Sequence, residues 1–201
     1  MLSSFVGITE SKTCFNQLLP MTKLTKPKLV EIFVETIQRC GAIVEYRTPR
    51  GTHPAVLNVR TQEFNTTYRV YIWNLTRGGA NRPIDEYRIQ TSGIDGFECK
   101  QDQKTLILGY WAPLELFIAF DYSKHTERLG RSVSLQLREK SLHEGALHGM
   151  STYPKDNGEI VVVFDKLRVL IYLKHQESIH MTSKQLSLLQ HLEGATNPVG
   201  T

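Results

Sequence analysis

Apolar residues recur at three- and four-residue intervals through "PKLVEIFVETIQRCGA", placing Leu29, Ile32, Phe33, Thr36, Ile37 and Cys40 on one face. The spacing predicts an amphipathic helix over 27–42, with Pro27 suited to the first turn and Gly41 to the stop. The pattern then turns from helical to alternating. "AIVEYRT" ends at the turn "PRGTHP"; "AVLNVRT" alternates, and "TYRVYIWNLT" is longer and rich in β-formers. A glycine break precedes "DEYRIQTSG". "KTLILGYW" and "LELFIAFDY", separated at Ala112-Pro113, read as a hairpin, and "RSVSLQLRE" alternates again. "EKSLHEGALHGM" reads as a short helix and "GEIVVVFD" as a strand buried on both faces. "DKLRVLIYLKHQ" and "SKQLSLLQHLEG" read as closing helices.

These elements predict an α+β domain with helices at both ends. Its seven to eight strands form a mainly antiparallel, strongly curved or barrel-like sheet, because most connections are too short for a parallel crossover. Residues 1–26 form a lead-in without a sustained period, 27–193 one domain, and 194–201 a small, polar tail suited to a linker.

Composition narrows the function. With 201 residues, 40% of them apolar and 22% charged, the chain can build a sizeable core. No run approaches the length of a membrane span, and no secretory leader is expected. Cys14, Cys40 and Cys99 are odd in number and far apart, which disfavours a disulfide framework and a zinc knuckle and favours a reducing cytoplasm. His143 and His148 stand five apart on the short helix, the wrong spacing for one metal-binding face, so no metal or other cofactor is expected. Neither a nucleophile elbow nor a phosphate-binding loop with its lysine occurs.

The net charge of +4 is mild, but its distribution is not uniform. No lysine lies between Lys28 and Lys100, where eight arginines do. Arginine pairs bidentately with phosphate or a guanine edge, whereas lysine acts as a point charge. The stretch "WNLTRGGANRPIDEYRIQTSG" concentrates the candidates. Gly78-Gly79 allows a close backbone approach; Arg77, Asn81 and Arg82 flank it; Arg88 and Gln90 emerge on one face of the next strand. Two readings stay open here. The cluster binds DNA, joined by Arg47 and Arg50 in the "YRTPRGTHP" turn, or Asp85 and Glu86 neutralise Arg82 and Arg88 internally. Trp73 and Trp111 are either stacking platforms for an extruded base or core aromatics.

An enzymatic alternative is a divergent Mg²⁺-dependent nuclease around Asp121, with Gln136 and Arg138 on the next strand. Gln136 is a poor Mg²⁺ ligand and Arg138 cannot accept a proton, and Asp121 equally suits a cap on "DYSKH". A module whose arginines meet an acidic protein is a third reading.

At "VYIWNLTRGGANRPIDEYRIQTSG", "KTLILGYW", "LFIAFDYSKH", "SVSLQLREKSLHEGALHG" and "NGEIVVVF" the chain resembles an accessory domain of bacterial restriction-modification and phage-defence loci. That domain is associated with DNA methylases and often precedes an endonuclease module. The resemblance spans roughly residues 27 to 175. It implies a non-catalytic part that reads the sequence or modification of double-stranded DNA, with a nuclease or methylase module as partner.

Overall fold

The computed structural model of the protein describes residues 23–127 and 133–181. Helix α1 (Lys26–Arg39) starts at Thr25, whose hydroxyl accepts from the Lys28 amide, and has a proline in its first turn. Both features deal with amide donors that a helix start leaves without partners. Its apolar face buries Leu29, Phe33 and Ile37. Gly41, at φ +88°, turns the chain out of the helix in a conformation that favours glycine.

Strands β1 (Ile43–Tyr46), β2 (Ala55–Arg60) and β3 (Asn65–Asn74) follow as an antiparallel meander. At Leu75 the chain leaves this sheet. It forms β4 (Thr76–Arg77) and β5 (Glu86–Gln90) in a second sheet, then returns as β6 (Lys104–Trp111) alongside β3. Having travelled out and back, β6 runs parallel to β3, from the Tyr68–Lys104 pair to the Asn74–Tyr110 pair. β7 (Leu116–Phe120) pairs back on β6; β8 (Ser134–Arg138) joins β5; α2 (Glu139–His148), β9 (Met150–Pro154), β10 (Ile160–Phe164) and α3 (Val169–Met181) complete the order.

The large sheet therefore has seven strands in the order β1-β2-β3-β6-β7-β10-β9, and the small one three in the order β4-β5-β8. The expected α+β class holds. The sheet itself is mixed and open, with β1 and β9 as edges, rather than barrel-like. Two local differences have clear causes. Gly149, at φ +77°, stops α2 after His148, so Met150 opens a strand instead of ending a helix. Asp165 accepts from the Leu167 and Arg168 amides, spending one tight turn over Lys166–Arg168 before α3 begins. The segment "SKQLSLLQHLEG" lies outside the described residues, as do the lead-in up to residue 22 and the tail.

The molecule is built in three layers. α1 and α3 cover one face of the large sheet, where Phe33, Leu57, Val70, Leu108, Phe117, Val162 and Tyr172 form one core. The small sheet and α2 cover the other, where Tyr71, Trp73, Ile107, Ile118 and Val163 meet Tyr87, Ile89, Leu135, Leu137 and Leu142. β6, β7 and β10 are thus buried on both faces, which is why their sequences run apolar without alternation. Two glycines let the layers touch. A Cβ on Gly109 would stand 2.8 Å from Ile89 Cγ2, and one on Gly145 would stand 2.5 Å from Val163 Cγ1.

Candidate nucleic-acid interface

Alternation along β5 and β8 divides the small sheet into two faces. Tyr87, Ile89, Leu135 and Leu137 point inward and are buried. Glu86, Arg88 and Gln90 share the opposite face with their cross-strand partners Arg138, Gln136 and Ser134, and Thr76 stands across from Arg88 on the other side. Gln90, Gln136 and Arg138 are exposed and Arg88 is half-buried.

The loop from Gly78 to Asp85 is two tight turns in succession. The Arg82 amide donates to the Gly79 carbonyl at 2.9 Å, and the Glu86 amide to the Pro83 carbonyl at 3.0 Å. Gly78 donates its amide to the Glu86 carbonyl at 2.7 Å, and a Cβ there would stand 2.9 Å from the Arg82 Cβ. Gly78 is therefore needed where Arg82 folds back over it. Asn81, Arg82 and Pro83 are exposed, and Ile84 at the tip is 79% exposed.

The acids meet most of the arginines. Arg82 pairs with Glu86 at 3.3 Å, Arg138 with Asp85 at 2.8 Å, and Arg77 with Glu139 at 3.2 Å while lying 5.6 Å over the Tyr87 ring. Asp85 thus takes Arg138 rather than either arginine of its own loop. Among the described residues the Arg88 side chain has neither an ion pair nor a hydrogen bond, although its backbone belongs to the sheet. The two sequence readings of this stretch divide it: an internal network of charge pairs surrounds one guanidinium that the network leaves over.

The other sequence candidates fall elsewhere. Arg47 and Arg50 are exposed at the β1–β2 connection, Arg47 beside Glu45 at 3.3 Å and Arg50 over Tyr46 at 5.2 Å. Trp73 and Trp111 are buried in the core beneath the small sheet, 5% and 6% exposed. Trp73 packs edge-on against His53, ring centres 4.9 Å apart, and its indole N–H has no hydrogen-bond partner. Asp121 follows β7 of the large sheet, whereas Gln136 lies in β8 of the small one. Asp121 is buried and caps the turn Tyr122–Lys124, accepting from the Ser123 amide at 2.9 Å and hydroxyl at 2.7 Å. Among the described residues no group of three or more His, Cys, Asp or Glu side chains is placed to hold a metal ion.

His53 is a residue the sequence pattern does not single out. His53 stands just before β2, which opens at Ala55, and its imidazole takes the place of a further strand residue. Extending the Ala55–Val70 register sets His53 opposite Ile72, and the Ile72 amide donates to His53 Nε2 at 3.1 Å. The available signal is that register together with the His-Pro pair.

Residues 66–173, more than half of the chain, match the family model of the methylase-associated X1 domain. The chain belongs to this family. No curated protein and no solved structure matches it. The MTaX1 match takes in both strands of the small sheet's outer face and the whole 78–85 loop, while Arg47 and Arg50 precede it. Association with methylases suggests a role related to restriction-modification. Among the described residues no helix is long and apolar enough to cross a membrane.

Proposed function

We propose that this MTaX1 domain binds duplex DNA through the outer face of its small sheet and reads base sequence or base modification for a restriction or defence system. The carrying observation is Arg88, the arginine that the surrounding acids leave unpaired, between Thr76 and Gln136 at the centre of a polar sheet face. A two-stranded β-ribbon fits the major groove, where an arginine fork addresses guanine and a carboxamide addresses adenine. Arg88 would read a base edge with Gln90 beside it. Arg77, Arg82 and Asn81 would meet phosphates from the loop, and Arg47 and Arg50 would add contacts from the β1–β2 turn. The Arg138–Asp85 pair is exposed on both sides and supplies little stability, about 0–1 kcal/mol, whereas Arg82 answers the buried Glu86 carboxylate. Chemistry on the DNA would belong to a nuclease or methylase partner.

A salt titration of binding to random duplex DNA tests this reading. Four engaged arginines give an expected slope of log K against log salt of about −4. Binding that ignores salt, or none at low salt, refutes it and favours an acidic protein partner.

A further inference from the structure

At the end of the large sheet where β6 begins and β7 ends lies a cavity of about 380 Å³, closed on one side by α3. Leu75, where the small sheet departs, hydrogen-bonds Tyr110 at the far end of β6, so this cavity is separate from the candidate DNA interface. Its size is within the range of small-molecule sites, roughly 300–1,000 Å³. Phe120, Tyr122 and Tyr172 give it aromatic walls.

Two polar side chains face this aromatic space from buried positions. Gln176 on α3 is only 6% exposed, lines the cavity, and has no hydrogen-bond partner among the described residues. A carboxamide has two donors and an acceptor, and those of Gln176 open onto the cavity rather than being sealed in the core. Asp121 is buried beside it, and both hydrogen bonds to its carboxylate fall on Oδ1. On the rim Lys124 is exposed, without an acidic partner among the described residues. The neighbouring His180 is already committed: Nδ1 lies 2.7 Å from the Ile160 carbonyl and Nε2 lies 3.1 Å from the Tyr172 hydroxyl. It forms wall, not a contact for a ligand.

The geometry points to a nucleotide site, in which the cavity takes an amino-bearing base with its phosphate at the rim. A carboxamide matches the paired amino donor and ring-nitrogen acceptor of adenine, and a carboxylate accepts from an exocyclic amino group. Aromatic walls suit the faces of a flat ring. The unpaired Lys124 ammonium suits a phosphate, the one strongly anionic part of such a ligand. Nothing in this arrangement requires the DNA-binding reading; the site can serve a free nucleotide or a nucleotide extruded from a strand.

Calorimetric titration of the full chain with AMP, adenosine and UMP, and with a duplex carrying adenine opposite an abasic site, tests the assignment. AMP is expected to bind at least about tenfold more tightly than UMP, a difference of about 1.4 kcal/mol. Gln176→Leu should weaken AMP by a similar factor while keeping the melting temperature, because the amide opens onto the cavity and has no protein partner among the described residues to lose. A purely structural Gln176 would instead lower it. Lys124→Ala should weaken AMP and leave adenosine unchanged. Binding of the abasic duplex that depends on Gln176, without binding of AMP, assigns the same pocket to an extruded nucleotide. Absence of both, or equal affinities in Gln176→Leu and the parent chain, overturns the proposal.

Discussion

Lowering the pH from 7 to 4 offers a proton to an imidazole that the fold keeps neutral. Burial removes water from His53, and the nearby Lys26 ammonium repels a second positive charge, so its pKa falls from 6.5 to about 4. The Ile72 carbonyl, 3.2 Å from Nε2 and able to accept from the protonated ring, opposes this only in part. Above pH 6.5 the ring is neutral in both folded and unfolded chains, and its contribution to stability is complete. Between pH 6.5 and 4 the unfolded chain takes up the proton first, so stability falls with pH across that window and levels off below it. At about 1.36 kcal/mol per pKa unit the loss is on the order of 3 kcal/mol. For a chain of this size that corresponds to a melting temperature lower by roughly 6–12 °C. Burial lowers the pKa of His175 and His180 as well, so the informative quantity is the difference between the parent chain and His53→Gln, whose carbonyl can still accept from the Ile72 amide. Thermal melts at half-unit pH steps should show this difference shrinking as pH drops from 6.5 to 4. A difference that stays constant over the window would refute the reasoning, as would a His53 pKa near 6.5 by NMR titration.

The remaining expectations concern packing, burial and capping. Gly109→Ala should lower stability by about 1–3 kcal/mol, the usual cost of overpacking, because the new methyl meets Ile89 where the small sheet docks; chemical denaturation reads it directly. Glu159 is fully buried, and although burial pushes its carboxyl up, hydrogen bonds from His125 and Lys155 outweigh this and hold it below the ordinary value. Its contribution is therefore present above the ordinary carboxyl range and lost as pH falls through the lowered folded value. Lys155→Ala should cost about 1.5–3 kcal/mol at neutral pH, the worth of a hydrogen bond to a charged group, because the carboxylate keeps the His125 bond and loses the other; the same denaturant series measures it. Asp121→Ala should cost about 0.5–2 kcal/mol as a lost cap, which chemical denaturation measures.

The helical period of residues 27–42 and the alternation of β8 were legible because each element has one buried and one open face. β6, β7 and β10 were legible as strands, but not their covering layers, because burial on both faces erases alternation. The parallel β3–β6 pair was not legible. It depends on residues 75–103 forming strands of another sheet, which no local pattern records. β9 is five residues long and directly follows a helical period, so only Gly149 marks its start. In the candidate site, the sequence placed Arg88 and Gln90 on one strand face. It could not show which acid meets which arginine, because the Asp85–Arg138 pair joins residues 53 apart. Gln176 carries no signal beyond a polar residue on a helix whose neighbours are mostly apolar, and His53 none beyond its proline.

Arg88 bears most directly on the DNA recognition proposed for this MTaX1 domain. Arg88→Ala should be measured against plain, methylated and hydroxymethylated duplexes, with melting temperature recorded for the same preparation. The substitution is expected to cost about 1–3 kcal/mol on the preferred duplex and little on the others, as loss of a bidentate base contact does. The melting temperature should hold, since Arg88 has no partner to abandon among the described residues. A lower melting temperature with unchanged relative affinities would contradict the account and make the outer face of the small sheet a structural charge network.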